Sequence, residues 1–225
     1  GTFETTFALV ILDEMQIIEW LISNNDNIGR YLIVHELGHI VTEFNRLKFL
    51  GNQTLVSNVE IWSELSYTIW GEFFSDFLAS SFNNNKAWSF EVNKMFFDLA
   101  HENLKFIEQS IWNYRFHGDI DQLLSSVHPI LYTLVSQLGR SLGTIHGSPD
   151  HHSLLIQFFQ KLEKLSYRWR SVTEEVYDIL CEGVATSESY KLLSKSVLGY
   201  YHCIGMYPII LPDGNLFIDV PFDTK

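Results

Sequence analysis

His35-Glu36-Leu37-Gly38-His39 sets two imidazoles four residues apart with a carboxylate between them. On a helix, positions i and i+4 lie one above the other, so both rings can reach a single metal ion. Glu36 falls one step further round, toward the side such an ion leaves open. There a carboxylate can take a proton from a water that the metal activates. The chemistry this spacing suits is metal-assisted hydrolysis, and zinc is the ion customarily held by two histidines and a carboxylate. The apolar run Tyr31 to Val34 just before the motif predicts a buried, shaped site, with Leu37 and Ile40 facing the core.

A third protein ligand must come from elsewhere. The continuation that would supply another histidine directly after the motif is absent, since Thr42 and Asn45 stand where it needs Gly and His. A later carboxylate remains. In Gly71-Glu72-Phe73-Phe74-Ser75-Asp76-Phe77-Leu78-Ala79, Glu72 and Asp76 share one helix face amid aromatic residues. Acids in such a stretch are costly to bury unless a metal or a donor meets them. Glu72 is therefore the expected ligand, and Asp76 the acceptor for the free ring N–H of a ligating histidine. Glu64 lacks an acid one turn on, and Glu43 and Glu60 are read as solvated. A donor for a developing oxyanion is sought first at His146, in the histidine-rich stretch 143–152, with Tyr132 and Arg140 as alternatives. His151 and His152 suit the first turn of a helix. His101, His117, His128 and His202 stand alone as core or surface residues, and Trp62, Tyr67, Trp70, Phe73, Phe74 and Phe77 are expected in the core.

H-E-L-G-H followed by E-x-x-S-D-x-x-A resembles the gluzincin pattern of thermolysin-like metallopeptidases. Among smaller intracellular members it is similar to the ImmA/IrrE-type family, on Glu72, Ser75, Asp76, Leu78 and Ala79. The resemblance covers about Arg30 to Ser81. It implies bound Zn2+ and hydrolysis of a peptide bond in a peptide or protein substrate, which in that family includes transcriptional repressors. A long helical stretch after Ala79 departs from the family. A second reading is a non-catalytic zinc-binding or sensing module that engages a protein partner through those later helices. It needs the ligands but not Glu36 as a base.

Apolar spacing predicts a helix over 27–49, with Asp26 as N-cap, to carry the first motif, and another over 59–82 to carry the second. Further helices are expected at about 89–112, 119–142, 151–167, 172–180 and 189–200. Tyr207 to Leu211 and Leu216 to Val220 flank Pro212-Asp213-Gly214-Asn215, a turn signal that makes them a hairpin. Thr2 to Leu12 reads as a strand that could join it, because a two-stranded ribbon alone is marginal in water. The expected fold is α+β and mainly helical, a zincin-like domain with a small antiparallel sheet and a helical C-terminal extension. One domain is expected over 1–225, with its motif-bearing part at about 1–85, the extension at about 86–200 and the hairpin at 205–222.

At 46% hydrophobic, the 225-residue chain can bury a substantial core. A formal charge of −12 with no Lys/Arg cluster argues against a nucleic-acid partner. Cys181 and Cys203 are too few for a disulfide scaffold, which fits a reducing, cytoplasmic setting. No apolar run is long enough to span a membrane.

Overall fold

The computed structural model describes residues 26–50, 61–81 and 86–222. In chain order they form α1 (Asp26–Leu50), α2 (Ile61–Ser80), α3 (Lys86–His117), α4 (Ile120–His146), α5 (His151–Leu165), α6 (Tyr167–Glu182), α7 (Ser187–Cys203), β1 (Tyr207–Ile210) and β2 (Leu216–Asp219). The helices match the expected segments to within a few residues at most ends. The main differences are α3, which runs on to His117, α4, which runs on to His146 and so takes part of the histidine-rich stretch into its last turn, and α6, which starts five residues early at Tyr167.

α2 is the central element, with α1 against one side and α4 against another. α1 crosses it antiparallel, Gly38 meeting Ser75 and His39 meeting Gly71. α4 runs parallel to it, Gly139 meeting Ile69 and Gly143 meeting Phe73. The parallel arrangement is possible because the 32-residue α3 carries the chain back between them. Along α3, Val92, Phe96, Ala100, Ile107 and Ile111 recur at helical spacing and are buried. The apolar stripe of α4, Leu123, Val127, Leu131, Leu134, Leu138, Leu142 and Ile145, is buried throughout.

Small residues set how closely these helices approach. A Cβ on Gly38 would stand 2.6 Å from the Cα of Ser75, so α1 and α2 touch backbone to backbone at the centre of the first motif. On α4 and its C-cap, Gly139, Gly143 and Gly147 are spaced by four and all turn toward α2. A Cβ on Gly139 would lie 2.7 Å from the Ile69 carbonyl oxygen, and one on Gly143 would overlap the Phe73 carbonyl.

This close approach explains one departure from expectation. α1 faces α2 with Tyr31, His35, Gly38 and Thr42, all buried, whereas Leu37 is 49% exposed and Ile40 only half-buried. A helix drawn to its neighbour by glycine and polar contacts presents those residues inward and turns its bulkier apolar ones away. Val41 and Phe44 are exposed on the same helix.

The later helices close the core. Asp119 caps α4, Ser166 caps α6, and Thr186 with Ser189 forms a reciprocal capping box on α7. Trp169 and Tyr200 are fully buried against one another, and the Tyr190 hydroxyl donates to the Ser63 carbonyl, tying α7 to α2. β1 and β2 pair antiparallel, with Tyr207 opposite Asp219 and Ile210 opposite Leu216. Gly214 takes φ of +83° in their connection, a backbone state that glycine enters without steric cost. The expected strand at 2–12 lies outside the described residues, as does Glu60. Cys181 and Cys203 are free thiols. Among the described residues no helix is long and apolar enough to cross a membrane.

Candidate metal centre

α1 and α2 cross where both motifs stand, and the crossing brings three ligand atoms together. His35 Nε2 and His39 Nε2 are 3.0 Å apart, and Glu72 Oε2 lies 3.6 Å from the first and 3.9 Å from the second. Bonds of about 2.0–2.1 Å at tetrahedral angles put ligand atoms about 3.3 Å from one another. The triangle therefore fits one zinc-sized ion after shifts of a few tenths of an ångström. Among the described residues, His35, His39 and Glu72 are the group of His, Cys, Asp and Glu side chains with this convergence. Glu72 Oε2 is buried without a hydrogen-bond partner, which a native interior rarely tolerates unless an ion or water meets the atom.

A second layer of contacts holds these ligands. Asp76 has no exposed side-chain surface and places Oδ2 3.5 Å from Nδ1 of His35, on the ring edge away from the triangle. An acceptor there favours the tautomer that carries its proton on Nδ1 and offers the Nε2 lone pair to a metal. Ser136 Oγ donates to Glu72 Oε1 at 3.1 Å, leaving Oε2 to point at the histidines. Arg140 Nε donates to Asp76 Oδ2 at 3.3 Å. Ser136 and Arg140 both belong to α4, so the site is built from three helices and not from the two that carry the motifs.

Burial, followed by the positive fields of His39 and Arg140, pushes His35 down to about 3, so its ring is neutral at ordinary pH, the form that ligates metals. Burial likewise pushes the carboxyl of Asp76 up to about 7 against the opposing pull of Arg140 and Thr144. Glu72 is raised for the same reason, although His39, Arg140 and Ser136 draw it down; the nearby charge of Glu36 adds to the rise. One guanidinium thus stands against a buried carboxylate, Asp76, and a half-buried one, Glu72. The cluster is short of positive charge, as a cation site should be.

Glu36 is exposed beside the triad, and the side chain of His39 is one-third exposed. One side of the triangle is therefore open to solvent. No family model, curated protein or solved structure matches this chain. The site is accordingly understood from its own geometry.

Among the oxyanion-donor candidates, His146 sits elsewhere in the packing. Its Nδ1 is 2.9 Å from the Tyr177 hydroxyl and 3.6 Å from Cys181 Sγ, and its ring packs on Phe73 and Phe77. Tyr132 is partly exposed on α4, one turn before Ser136. Arg140 is the candidate in contact with the triad and its support. Glu64, the competing carboxylate, faces His128 at 3.3 Å, whose other nitrogen bonds the Tyr201 hydroxyl. Glu43 pairs with Arg46 one turn beyond His39. Ser136 gave no warning in the sequence. A signal for α4 did exist, however, in the spacing Gly139-x-x-x-Gly143-x-x-x-Gly147, which marks the face of a helix that packs closely on another.

Proposed function

We propose that this chain is a metal-dependent hydrolase of gluzincin type that cleaves a peptide bond in a peptide or protein substrate, with Zn2+ held by His35, His39 and Glu72. The observation that carries the proposal is the convergence of those three ligand atoms, with Glu36 exposed and near enough to act electrostatically on Glu72. A bound zinc ion supplies a Lewis acid that makes water a competent nucleophile near neutral pH and polarises a carbonyl. His35 and His39 would hold it through Nε2, and Glu72 through Oε2. Glu36 would accept the proton of the attacking water and return it to the leaving amine, since one carboxylate can act in turn as base and acid. Asp76 keeps His35 in the ligating tautomer.

A non-catalytic metal module would use the same ligands, but a structural zinc site is normally closed by a fourth protein ligand. Three convergent ligands with an exposed acid beside them support the hydrolytic reading. The test compares wild type, Glu36→Gln and Glu72→Ala by elemental analysis and by hydrolysis of a mixed peptide library. Glu36→Gln should keep about one zinc per chain and lose on the order of 10²–10⁴-fold in rate. Glu72→Ala should lose the metal. Undiminished hydrolysis by Glu36→Gln sinks the mechanism, and wild-type zinc content in Glu72→Ala sinks the ligand set.

A further inference from the structure

Asp76 Oδ2 is shared. Nδ1 of His35 approaches it at 3.5 Å from α1, and Nε of Arg140 at 3.3 Å from α4. The same Nε lies 3.9 Å from Glu72 Oε2, the oxygen that completes the ligand triangle. One guanidinium therefore stands against both the carboxylate that ligates and the carboxylate that orients a ligating ring.

We propose that Arg140 is the positioning residue of the metal centre, a clamp from α4 that holds Asp76 beside the His35 ring by a hydrogen bond and sets a positive charge against the ligating oxygen of Glu72. The proposal rests on reading His35, His39 and Glu72 as a metal site. Its physical basis is the burial of Asp76, which has no exposed side-chain surface. A carboxyl group in that position needs a donor to hold it in place. Arg140 is the one cationic side chain that contacts Asp76 among the described residues. Without it Asp76 Oδ2 would lose its hydrogen-bond donor and be free to turn away, and His35 would lose the acceptor that aims it.

Two further features favour a clamp over a loose ion pair. Ser136 and Arg140 are one turn apart on α4, and they address the two carboxylates of α2 that are also one turn apart. Gly139, next to Arg140, lets the α4 backbone lie so near α2 that a Cβ would stand 3.0 Å from Glu72 Cβ. The guanidinium thus starts from a fixed base. Its Nε–H is held in the plane of the guanidinium and so donates at a defined angle, whereas an ammonium acts as a point charge.

The test titrates Zn2+, against a chromophoric chelator, and Co2+, by its visible absorption, into the metal-free full chain. Wild type, Arg140→Met and Arg140→Lys are compared, with circular-dichroism melts to verify folding. Arg140→Met should bind zinc about 10- to 100-fold more weakly, the usual cost of losing a partner of a metal ligand. Its Co2+ bands should move in position and intensity, because the ligand geometry is no longer held. Arg140→Lys should recover part of the affinity without recovering the wild-type Co2+ spectrum. Affinity and spectrum unchanged in Arg140→Met overturn the clamp while leaving the metal site standing. Failure of wild type to bind either ion overturns both. Should Arg140→Met not fold, a wild-type Co2+ spectrum in Arg140→Lys is the refuting result.

Discussion

Gly143→Ala separates helix propensity from helix packing. Alanine in place of glycine inside α4 should favour the isolated helix by about 1 kcal/mol. The structure says the folded protein pays more than that. The new Cβ would overlap the carbonyl oxygen of Phe73 and lie 3.0 Å from that residue's carbonyl carbon and Cα. All three atoms are backbone, so no side chain can rotate to make room, and α4 must back away from α2 by about 1 Å. Overpacking of a core typically costs about 1–3 kcal/mol, with rigid backbone contacts toward the upper end. The net expectation is a loss of roughly 1–2 kcal/mol, which for a chain of this size lowers the melting temperature by about 2–8 °C. Circular-dichroism melting and urea titration of the metal-free protein measure it. Because Ser136 and Arg140 ride on the same helix, zinc affinity should fall in parallel. A variant as stable as wild type, or more so, would refute the argument that α4 is held against the backbone of α2.

Two further outcomes follow from the site. Burial raises Asp76 to about 7 and also raises Glu72, and metal binding favours their ionised forms, so zinc uptake should expel protons and affinity should climb as pH rises through about 6 to 7. A carboxyl raised above its unfolded value of 3.8 stabilises the fold when protonated, so the contribution of Asp76 to the metal-free protein is lost as pH rises from about 4 through 7; a melting temperature that climbs over that window would contradict it. His146→Ala should leave zinc content unchanged by elemental analysis, because His146 is engaged with Tyr177, and loss of the metal would show that its link to the site is closer than its contacts indicate.

The elements were legible where local signals agreed. The helix bearing His35 and His39 was found although its apolar residues do not line one buried face, and α4, α6 and α7 begin at or beside residues suited to capping. The pairing of Glu72 and Asp76 with the two histidines was legible for a related reason: spacing by four fixes which side chains share a face, whatever the helix packs against. The inward face of α1 was misread at Leu37, because a count of apolar residues gives no weight to a glycine that allows backbone contact. The glycine spacing of α4 was a signal of close packing, but which helix it packs on and what Arg140 touches were not legible. Arg140 reaches Asp76 across 64 residues, and that separation depends on the length of α3 and on the turns at its ends, which no local pattern specifies.

The same separation recurs along the α2–α4 seam: Glu64 with His128, Glu72 with Ser136 and Asp76 with Arg140. The glycines that set the gap between these helices repeat every four residues, so on their own they would accept a slip of one full turn. Gly143 would then meet Ile69, and Gly147 would meet Phe73, with the spacing preserved. The polar pairs would not survive that slip, because Arg140 would move to the level of Glu72 and leave Asp76 buried without a cation. Glycine thus decides how near the helices lie, while charge decides their phase, and two of the three pairs that enforce the phase belong to the candidate metal centre.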